Sequence, residues 1–266
     1  MADVPELVEA CAEAARRGGE VLRARWGTLR TIDYKGGIDL VTDADRASEE
    51  ALLGFVQERF PGSAVLAEES GPRGPEEAPL RWFVDPLDGT TNYAHGVPHF
   101  AVNVAVADRE GIAAGATLDP LRGELFVAGR GRGAWLGEER IRVSEARELR
   151  QALLCTGFPY DIREDPEPAL RLFQAYLRRA RAVRRFGAAA LDLAYVACGR
   201  FDGFWEMKLR PWDVAPGILL VREAGGAVTD FDGGDDMLHG GTICAGNPHL
   251  QPLLLQVLAE VRGRRG

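Results

Sequence analysis

The sequence predicts a mixed fold in two parts: an α+β half over residues 1–143 and an α/β half over residues 144–266. In the first half, two helical patterns precede a series of short strand patterns separated by glycine-containing turns. In the second half, strand and helix patterns alternate. The chain has 266 residues, 46% of them hydrophobic, which suffices for a large core. We expect the two halves to share one cleft.

The first half is expected to open with two helices. Apolar residues at helical spacing, among them Leu7 and Leu22, predict a helix over 5–25, and a second helix is predicted over 43–60. Residues 70–79 are rich in Gly, Pro and Glu and predict an exposed loop. Strands are predicted at 65–66, 82–84, 100–106, 112–118, 124–128 and 134–143.

The second half alternates between the two kinds of element. The glycine-rich residues 129–133, just before it, lie between antiparallel strand patterns and predict a hairpin turn, not a nucleotide-binding loop. Strands are predicted at 152–156, 182–186, 201–206, 227–230 and 242–245, and helices at 166–181, 188–198, 213–224 and 248–262.

Charge and cysteine content limit the function classes. The net charge of −8 disfavours a nucleic-acid partner or an anionic membrane surface. The four cysteines form no CxxC pair, which disfavours a disulfide framework or a zinc ribbon. We find no signal-peptide pattern and no apolar stretch long enough to span a membrane. These observations together predict a cytoplasmic protein.

The most informative segment is residues 82–92, where an apolar strand pattern precedes the string DPLDGTTN. The strand would deliver Asp85 at its C-terminal end, the edge where open α/β sheets place their sites. The spacing to Asp88 can aim both carboxylates at one point, and the Leu87 carbonyl can face the same way. Hard cations such as Mg²⁺ prefer oxygen ligands of this kind.

Gly89, Thr90 and Thr91 follow directly and predict the start of a short helix. Backbone N–H groups at a helix start, with glycine allowing close approach, can bind an anion such as phosphate. A bare DxxDG string is more often a plain Asx turn. The apolar strand before it and the TTN after it favour the functional interpretation.

Three more acidic residues are candidates. Glu68 follows a short strand and could join the same cluster, although a solvated acidic loop is the alternative. Asp213 is expected at the N-cap of a helix, and a carboxylate with two oxygens could cap the helix and also bind a metal. Asp45 has roughly capping-box spacing from Thr42, and its functional alternative is to orient a threonine or a water molecule.

In their order along the chain, these strings resemble the inositol monophosphatase family, and the resemblance covers nearly the whole chain. DPLDGTTN is its most specific part. Two departures are small: Ala67 stands where glycine is common, and the stretch between Ser70 and Trp82 is slightly short. The matching segments are Lys35, DLVTDAD at 39–45, AEES at 67–70, WFVDPLDGTTN at 82–92, the hairpin at 131–144 and WDVAPGILLVREAGG at 212–226.

The resemblance implies a layered αβαβα sandwich, dependence on two or three Mg²⁺ ions, inhibition by Li⁺ and a homodimer. It also implies a ligand set for the ions. Glu68, Asp85 and the Leu87 carbonyl would bind a first Mg²⁺, and Asp85, Asp88 and Asp213 a second. A third, weaker ion would use Glu68.

The resemblance further implies catalytic and substrate-binding roles. Thr90, paired with Asp45, would help to activate the attacking water, with Glu68 as the third catalytic residue. Glu206 would accept hydrogen bonds from polyol hydroxyls, although an exposed strand-end glutamate is the alternative. The small residues at 187–189 would face the substrate ring, or else serve only close helix packing. The full expected substrate-binding set is Leu87, Asp88, Gly89, Thr90, Gly187, Ala188, Ala189, Glu206 and Asp213.

Other signals carry less weight. His95 and His99 are four residues apart, but Gly96 and Pro98 break any helix between them, which excludes a helical HxxxH zinc site. Arg184-Arg185 is expected to be a solvated face or a subunit contact.

Three functions remain open on sequence grounds. The first is a Mg²⁺-dependent phosphatase for inositol monophosphate or a similar small polyol phosphate, which Glu206 favours. The second is the same chemistry on fructose 1,6-bisphosphate, histidinol phosphate or adenosine 3′,5′-bisphosphate. The third is a ligand-binding regulatory protein without turnover, because a fold alone does not guarantee an activity.

Overall fold

The structure is a computed structural model that describes residues 2–27, 32–34 and 40–263. Lys35 and Asp39, which belong to the family-like strings, lie outside the described residues. The helices are α1 (Val4–Arg25), α2 (Asp43–Arg59), α3 (Thr90–Ala94), α4 (Glu167–Leu177), α5 (Ala189–Ala197), α6 (Pro211–Glu223) and α7 (Gln251–Gly263).

Fifteen strands are described. Those up to residue 108 are β1 (Ile32–Tyr34), β2 (Leu40–Thr42), β3 (Ala64–Ala67), β4 (Gly71–Arg73), β5 (Arg81–Asp88) and β6 (Ala101–Asp108). The middle ones are β7 (Gly111–Asp119), β8 (Glu124–Gly129), β9 (Gly133–Leu136) and β10 (Glu139–Arg140). The last are β11 (Leu153–Thr156), β12 (Ala182–Arg184), β13 (Gly203–Met207), β14 (Ala227–Thr229) and β15 (Thr242–Gly246).

The first large sheet has eight strands in the order β10-β9-β8-β7-β6-β5-β3-β4. All its neighbours are antiparallel except β3 and β5, which are parallel. The mostly antiparallel first half that the sequence predicts is therefore confirmed. The hairpin expected at 129–133 is confirmed as well, because it joins the antiparallel pair β8 and β9.

The second sheet has the order β12-β11-β13-β15-β14. β11 is parallel to both of its neighbours, whereas β15 is antiparallel to β13 and β14. The strands of the two large sheets fall on either side of residue 143. The division of the chain into two domains at this residue stays a prediction.

The two sheets and the helices stack in five layers, which confirms the expected αβαβα arrangement. Apolar residues of α1 and α2 pack on one face of the first sheet. α5 and α6 lie between the sheets and supply half of the buried residues of the central core. α4 and α7 cover the outer face of the second sheet. The burial of these apolar side chains is the main force that holds the layers together.

Some element boundaries differ from the sequence prediction. The expected loop at 70–79 contains the short edge strand β4, whose residues carry no apolar alternation because it pairs only with β3. The expected strand at 134–143 is two strands, since the chain turns at Gly137 with φ 58°. α7 begins later than expected because the Asn247 carboxamide accepts the N–H groups of His249 and Leu250 in the turn before it.

All four cysteines are free thiols, as the spacing predicted. Across the described part of the chain, no helix is both long and apolar enough to cross a bilayer.

Candidate active site

Strand β5 carries the acidic string into the site. Its pairing with β6 is regular up to Asp85, which lies opposite Asn103, and then shifts in register before Asp88, which lies opposite Ala101. The Leu87 N–H donates to Asp85 Oδ1 at 2.9 Å, so the chain folds back on the first carboxylate. Register shifts of this kind re-aim side chains. The shift explains how two aspartates three positions apart serve one acidic cluster.

Gly89 joins β5 to the short helix α3, as expected from the glycine and the two threonines. Its φ of 88° is left-handed, a conformation that favours glycine. An added Cβ would lie 3.1 Å from the His99 carbonyl oxygen and 3.3 Å from Ala188 Cβ. Only a residue without a side chain fits here, and the turn at residues 187–188 therefore packs directly on the motif.

The Thr90 hydroxyl lies within hydrogen-bond distance of two oxygens. It is 3.2 Å from Asp45 Oδ1 and 3.0 Å from the Leu87 carbonyl oxygen. Asp45 is fully buried in the first turn of α2. The structure thus brings together Thr90 and Asp45, which are far apart in sequence.

Two neighbours of Asp45 on α2 belong to the same region, although the sequence analysis did not single them out. The Ser48 hydroxyl donates to the Pro86 carbonyl oxygen at 2.9 Å. Glu49 Oε2 accepts the Glu69 N–H at 2.9 Å. Positions 45, 48 and 49 share one helix face. The signal that could have identified them was a row of polar residues at helical spacing beside the apolar stripe of α2.

Four carboxylates converge at the end of β5. Burial is the main cause that raises the pKa of Asp85, and the charges of Glu68, Asp88 and Asp213 raise it further. Asp85 also shares a hydrogen bond with Glu68. The pKa of Asp213 is raised by burial first and next by the charge of Glu68. Carboxylates from positions 68 to 213 are therefore close enough to repel one another around the buried Asp85.

The donors of this cluster suit a hard divalent cation, although they are not arranged as finished ligands. Within the described ranges, no three His, Cys, Asp or Glu side chains stand ready to hold a metal ion. One oxygen of Asp88 and one of Asp213 accept backbone N–H groups, each at 2.7 Å, and the second oxygen of Asp213 is left for another partner. Carboxylates together with the Leu87 carbonyl are the oxygen donors that Mg²⁺ prefers. A divalent cation would also offset the repulsion between buried like charges.

Asp88, the last residue of β5, lies against the start of α5. Its Oδ2 accepts the Ala190 N–H at 2.7 Å. Burial raises the pKa of Asp88 to about 6, while the amides of Ala190, Ala189 and Gly89 and the charge of Arg185 oppose that rise. The small residues at the start of α5 thus contact the acidic motif directly.

Asp213 does not cap α6 as the sequence predicted. The helix begins at Pro211 with Arg210 at the N-cap, and Asp213 stands at the third helical position, where its Oδ2 accepts the Arg210 N–H. The prediction was wrong by one turn because Pro211 is itself a favourable first helical residue. This geometry is consistent with the expectation that one carboxylate oxygen of Asp213 binds the helix backbone while the other stays free for a metal ion.

Glu206 on β13 is buried, so the alternative of an exposed strand-end glutamate was wrong. A Cβ added to Gly157 would lie 2.1 Å from Glu206 Oε1, and the Gly157 amide hydrogen-bonds to this carboxylate. Burial raises the pKa of Glu206 to about 8, Arg185 lowers it, and Asp88 raises it. Glu206 therefore lies in the same electrostatic environment as the acidic cluster.

Sequence reasoning missed Gly157 and Asp192. Asp192 on α5 is fully buried, and in the described structure neither of its carboxylate oxygens has a hydrogen-bond partner. Burial and the charge of Glu206 raise the pKa of Asp192. An acidic residue in the otherwise apolar pattern of α5 was the available signal.

The chain matches the model of the inositol monophosphatase family over residues 3–262. It is 43% identical to the inositol-1-monophosphatase of Caulobacter vibrioides, with 92% of this chain and 98% of that protein covered. It is 41% identical to Nus factor SuhB of Escherichia coli K12, with 94% of each chain covered. The solved structure of inositol monophosphatase from Anabaena (Nostoc) sp. PCC 7120 superposes with a TM-score of 0.87 at 40% identity, over 95% of each chain. The chain therefore belongs to the inositol monophosphatase family.

Proposed function

We propose that this protein is a Mg²⁺-dependent phosphatase that hydrolyses the phosphate monoester of a small polyol, with inositol monophosphate as the favoured substrate. One observation carries the proposal. The carboxylates of Glu68, Asp88 and Asp213 converge on the buried Asp85, next to Gly89 and Thr90. Family membership supports the same chemistry.

The proposed metal ligands follow from the donors in the cluster. Glu68, Asp85 and the Leu87 carbonyl would hold one Mg²⁺, and Asp85, Asp88 and Asp213 a second, with Glu68 available to a third. When bound, the ions would neutralise phosphate charge and make a water molecule more acidic, so the reaction would need no catalytic histidine. The carboxylates themselves set the positions of these charges relative to the phosphate site.

Thr90 and Asp45 would orient the attacking water. In the structure the Thr90 hydroxyl can donate to Asp45 Oδ1, which leaves an oxygen lone pair of Thr90 to accept a hydrogen bond from water. The Asp45 carboxylate is buried and therefore a strong acceptor in this position. Backbone N–H groups of Gly89 and Thr90 would bind the phosphate oxygens.

The polyol would lie against the second half of the chain. Glu206 would accept hydrogen bonds from its hydroxyl groups, while the Gly157 amide holds the carboxylate in place. The backbone of residues 187–189 would face the ring. A site built to hydrogen-bond hydroxyl groups discriminates strongly against ligands that lack them.

The test is a panel of phosphate-release assays with and without Mg²⁺. The substrates are inositol monophosphate, fructose 1,6-bisphosphate, histidinol phosphate and adenosine 3′,5′-bisphosphate. We expect Mg²⁺-dependent turnover with the highest kcat/KM for inositol monophosphate. A kcat/KM for it that is about 100-fold or more below that of another compound would contradict the substrate assignment. No phosphate release from any of them would contradict the enzyme.

A second candidate function rests on the relatives named Nus factor SuhB, which share 41–43% of their residues with this chain. As this second candidate, we propose that the chain serves as a Nus factor by a role that needs no turnover. Replacing the gene by an Asp85→Asn allele separates the two. A deletion phenotype rescued by this allele supports a role without turnover, and a phenotype that persists supports the phosphatase.

The expected homodimer, Li⁺ inhibition and cytoplasmic location stay predictions. Large apolar side chains exposed on the surface, among them Tyr160, Leu170 and Leu177, are compatible with a subunit contact. Light scattering of the purified protein checks the dimer, and a Li⁺ titration of the phosphatase assay checks the inhibition.

A further inference from the structure

We infer that two asparagines of the first half, Asn92 and Asn103, are positioning residues with separate tasks. Asn92 holds the turn that would face the polyol, and Asn103 holds the backbone of Asp213 beside Asp85. The inference rests on the proposed function, because it assigns one side chain to the substrate side of the site and the other to the metal side.

Asn92 in α3 joins three segments of the chain. Its Nδ2 donates to the carbonyl oxygens of His99 and Phe186, each at 2.8 Å, and lies 3.4 Å from the Gly187 carbonyl oxygen. A carboxamide nitrogen carries two protons, and the two short hydrogen bonds use both. One side chain of α3 therefore holds both the segment at His99 and the turn at 186–187.

The turn that Asn92 holds has few other polar restraints. Gly187 has a left-handed φ of 80°, and its carbonyl would lie 3.3 Å from a Cβ on Gly89. Phe186 is partly exposed, and its ring contacts those of His99 and Phe201. Without the Asn92 amide, residues 186–187 would keep the ring contacts of Phe186 with His99 and Phe201 and the contact of Gly187 with the motif. The backbone facing the polyol would then lose the hydrogen bonds that fix its position.

Asn103 acts at the opposite side of the motif. It is the register partner of Asp85 on β6 and is fully buried. Its Nδ2 donates to the carbonyl oxygens of Trp212 at 2.7 Å and Asp213 at 3.0 Å, and its Oδ1 accepts the Thr117 hydroxyl at 2.6 Å. The amide thus fixes the first turn of α6 against the strand that carries Asp85.

The position of Asn103 in the sequence indicates a specific task. It is the polar residue within the buried run Ala101–Val106 of β6. Burial of a carboxamide is costly unless its hydrogen bonds are made, and here both protons and the oxygen are used. An apolar residue would suit the strand better, so the amide is explained by its bonds to residues 212–213.

The two clamps predict separable defects. Loss of Asn92 would loosen the polyol side and leave the carboxylates in place. Loss of Asn103 would let Asp213 move relative to Asp85 and leave residues 186–187 in place. A purely structural role for both residues predicts instead that each variant loses stability and that neither defect is selective.

The experiment compares Asn92→Ala, Asn103→Ala and a control, Asn247→Ala. Asn247 is also a buried amide clamp: its Nδ2 donates to the Ala146 carbonyl oxygen at 2.8 Å, and its oxygen accepts N–H groups in the turn before α7. It contacts none of the proposed site residues. Asn103→Ser, whose hydroxyl keeps one donor, replaces Asn103→Ala should that variant fail to fold.

Kinetics with two substrates measure the polyol side. For Asn92→Ala we expect KM for inositol monophosphate to rise roughly tenfold, as the loss of about one strong hydrogen bond predicts. For p-nitrophenyl phosphate, which has no polyol hydroxyls, we expect kcat and KM to stay within about twofold of wild type. Equal KM increases for both substrates, or none, would overturn the role of Asn92.

Calorimetric titration with Mg²⁺ measures the metal side directly, without reference to activity. For Asn103→Ala we expect the Mg²⁺ dissociation constant to rise roughly tenfold, as for displacement of supporting groups around a metal ligand. The ratio of the two KM values should not change. Unchanged Mg²⁺ affinity, or a shift equal to that of Asn247→Ala, would overturn the role of Asn103.

The design separates failure of this inference from failure of the proposed function. If the wild-type protein hydrolyses neither substrate, the phosphatase proposal fails. In that case inositol monophosphate can be titrated by calorimetry without turnover, and the same selective loss of affinity in Asn92→Ala is expected. If the wild type is active and the defects are not selective, the phosphatase stands and the clamps do not.

Discussion

The acidic motif, residues 85–90, and the proposed polyol wall, which we define as Gly157, Gly187, Asp192 and Glu206, are assembled from the chain in different ways. The motif is continuous, and its geometry comes from one strand, one register shift and one left-handed glycine. The polyol wall gathers single residues from β13, α5 and two connecting segments. Local backbone rules determine the first, whereas tertiary packing determines the second.

This difference predicts how substitutions behave on each side. In the motif, replacing a carboxylate should lower activity, because each carboxylate oxygen has a defined neighbour. The polyol wall should tolerate substitutions that keep its shape. Substrate binding should weaken when one of its side chains is displaced. The changes below test this contrast, in order of expected effect.

Asp88→Asn should have the largest effect on turnover. It removes a proposed metal ligand, and we expect kcat to fall by roughly 1,000-fold or more. The carboxamide oxygen can still accept the Ala190 N–H, and mutual repulsion among the carboxylates decreases, so the melting temperature should stay nearly unchanged. Phosphate release and thermal denaturation measure the two quantities.

Asp165→Asn provides the matched control, because it removes the same charge at an exposed position. It should alter neither quantity. A large loss of stability in Asp88→Asn with activity retained would contradict the assignment of Asp88 to metal binding.

Glu206→Gln should have a smaller and substrate-selective effect. We expect kcat/KM for inositol monophosphate to fall by roughly tenfold to a hundredfold, with little change for p-nitrophenyl phosphate. Burial raises the pKa of Glu206 to about 8, so the ionised acceptor becomes more populated as pH rises through that value. The ratio of wild-type to variant kcat/KM should therefore grow from about pH 7 to about pH 9.

Glu58→Gln on the exposed face of α2 is the control for Glu206→Gln. It should leave both substrates unaffected. A loss in Glu206→Gln that is equal for the two substrates would remove Glu206 from the polyol wall.

Gly157→Ala tests the wall by shape alone, without any change of charge. The new methyl group would lie 2.1 Å from Glu206 Oε1, so the carboxylate must move. We expect a roughly tenfold rise in KM for inositol monophosphate and a loss of about 1–3 kcal/mol in the free energy of unfolding. Steady-state kinetics and urea denaturation measure them.

Gly54→Ala offers a control at a helical glycine whose added Cβ would meet nothing within 4 Å. It should raise the free energy of unfolding by about 0.5–1 kcal/mol and leave KM unchanged. An unaltered KM in Gly157→Ala would show that Glu206 has room to move without loss of function.

The same contrast explains what the sequence could and could not predict. Apolar periodicity and a specific string predicted the two kinds of half and the acidic motif. The layers and the grouping of Glu68 and Asp213 with that motif were implied by the resemblance to a known family. These features depend on residues that are close in the chain or on the resemblance to a known family.

The remaining features depend on contacts between distant segments. No pattern around Gly157 indicates that its missing Cβ makes room for Glu206, because the two residues meet only when β11 and β13 pair. The Asn92 and Asn103 clamps likewise act on backbone carbonyls roughly a hundred residues away, which no local pattern encodes. The cap of α6 was misplaced because Pro211 and Asp213 both suit a helix start.

The smallest expected effect concerns His99, which lies where the motif meets the polyol wall. Its ring packs on Phe186 and Tyr195. In the described structure its Nε2 is buried without a hydrogen-bond partner. Burial lowers the pKa of His99 to about 4, the charge of Arg122 lowers it as well, and Asp119 opposes the shift. The folded protein therefore keeps this imidazole neutral.

The sign of the pH effect follows from that depressed pKa. Between the usual histidine value of about 6.5 and about 4, the unfolded chain binds a proton that the folded protein does not, so stability falls as pH decreases through this window. The slope is at most about 1.4 kcal/mol per pH unit, and partial solvent access to the ring reduces it. His99→Gln should lose less stability between pH 7 and pH 5 than wild type does, by about 1 kcal/mol, in urea denaturation at the two pH values. Because acidic groups titrate equally in both proteins, identical losses would mean that the ring accepts its proton in the folded state, and the junction between the two regions would then be more open than its packing indicates.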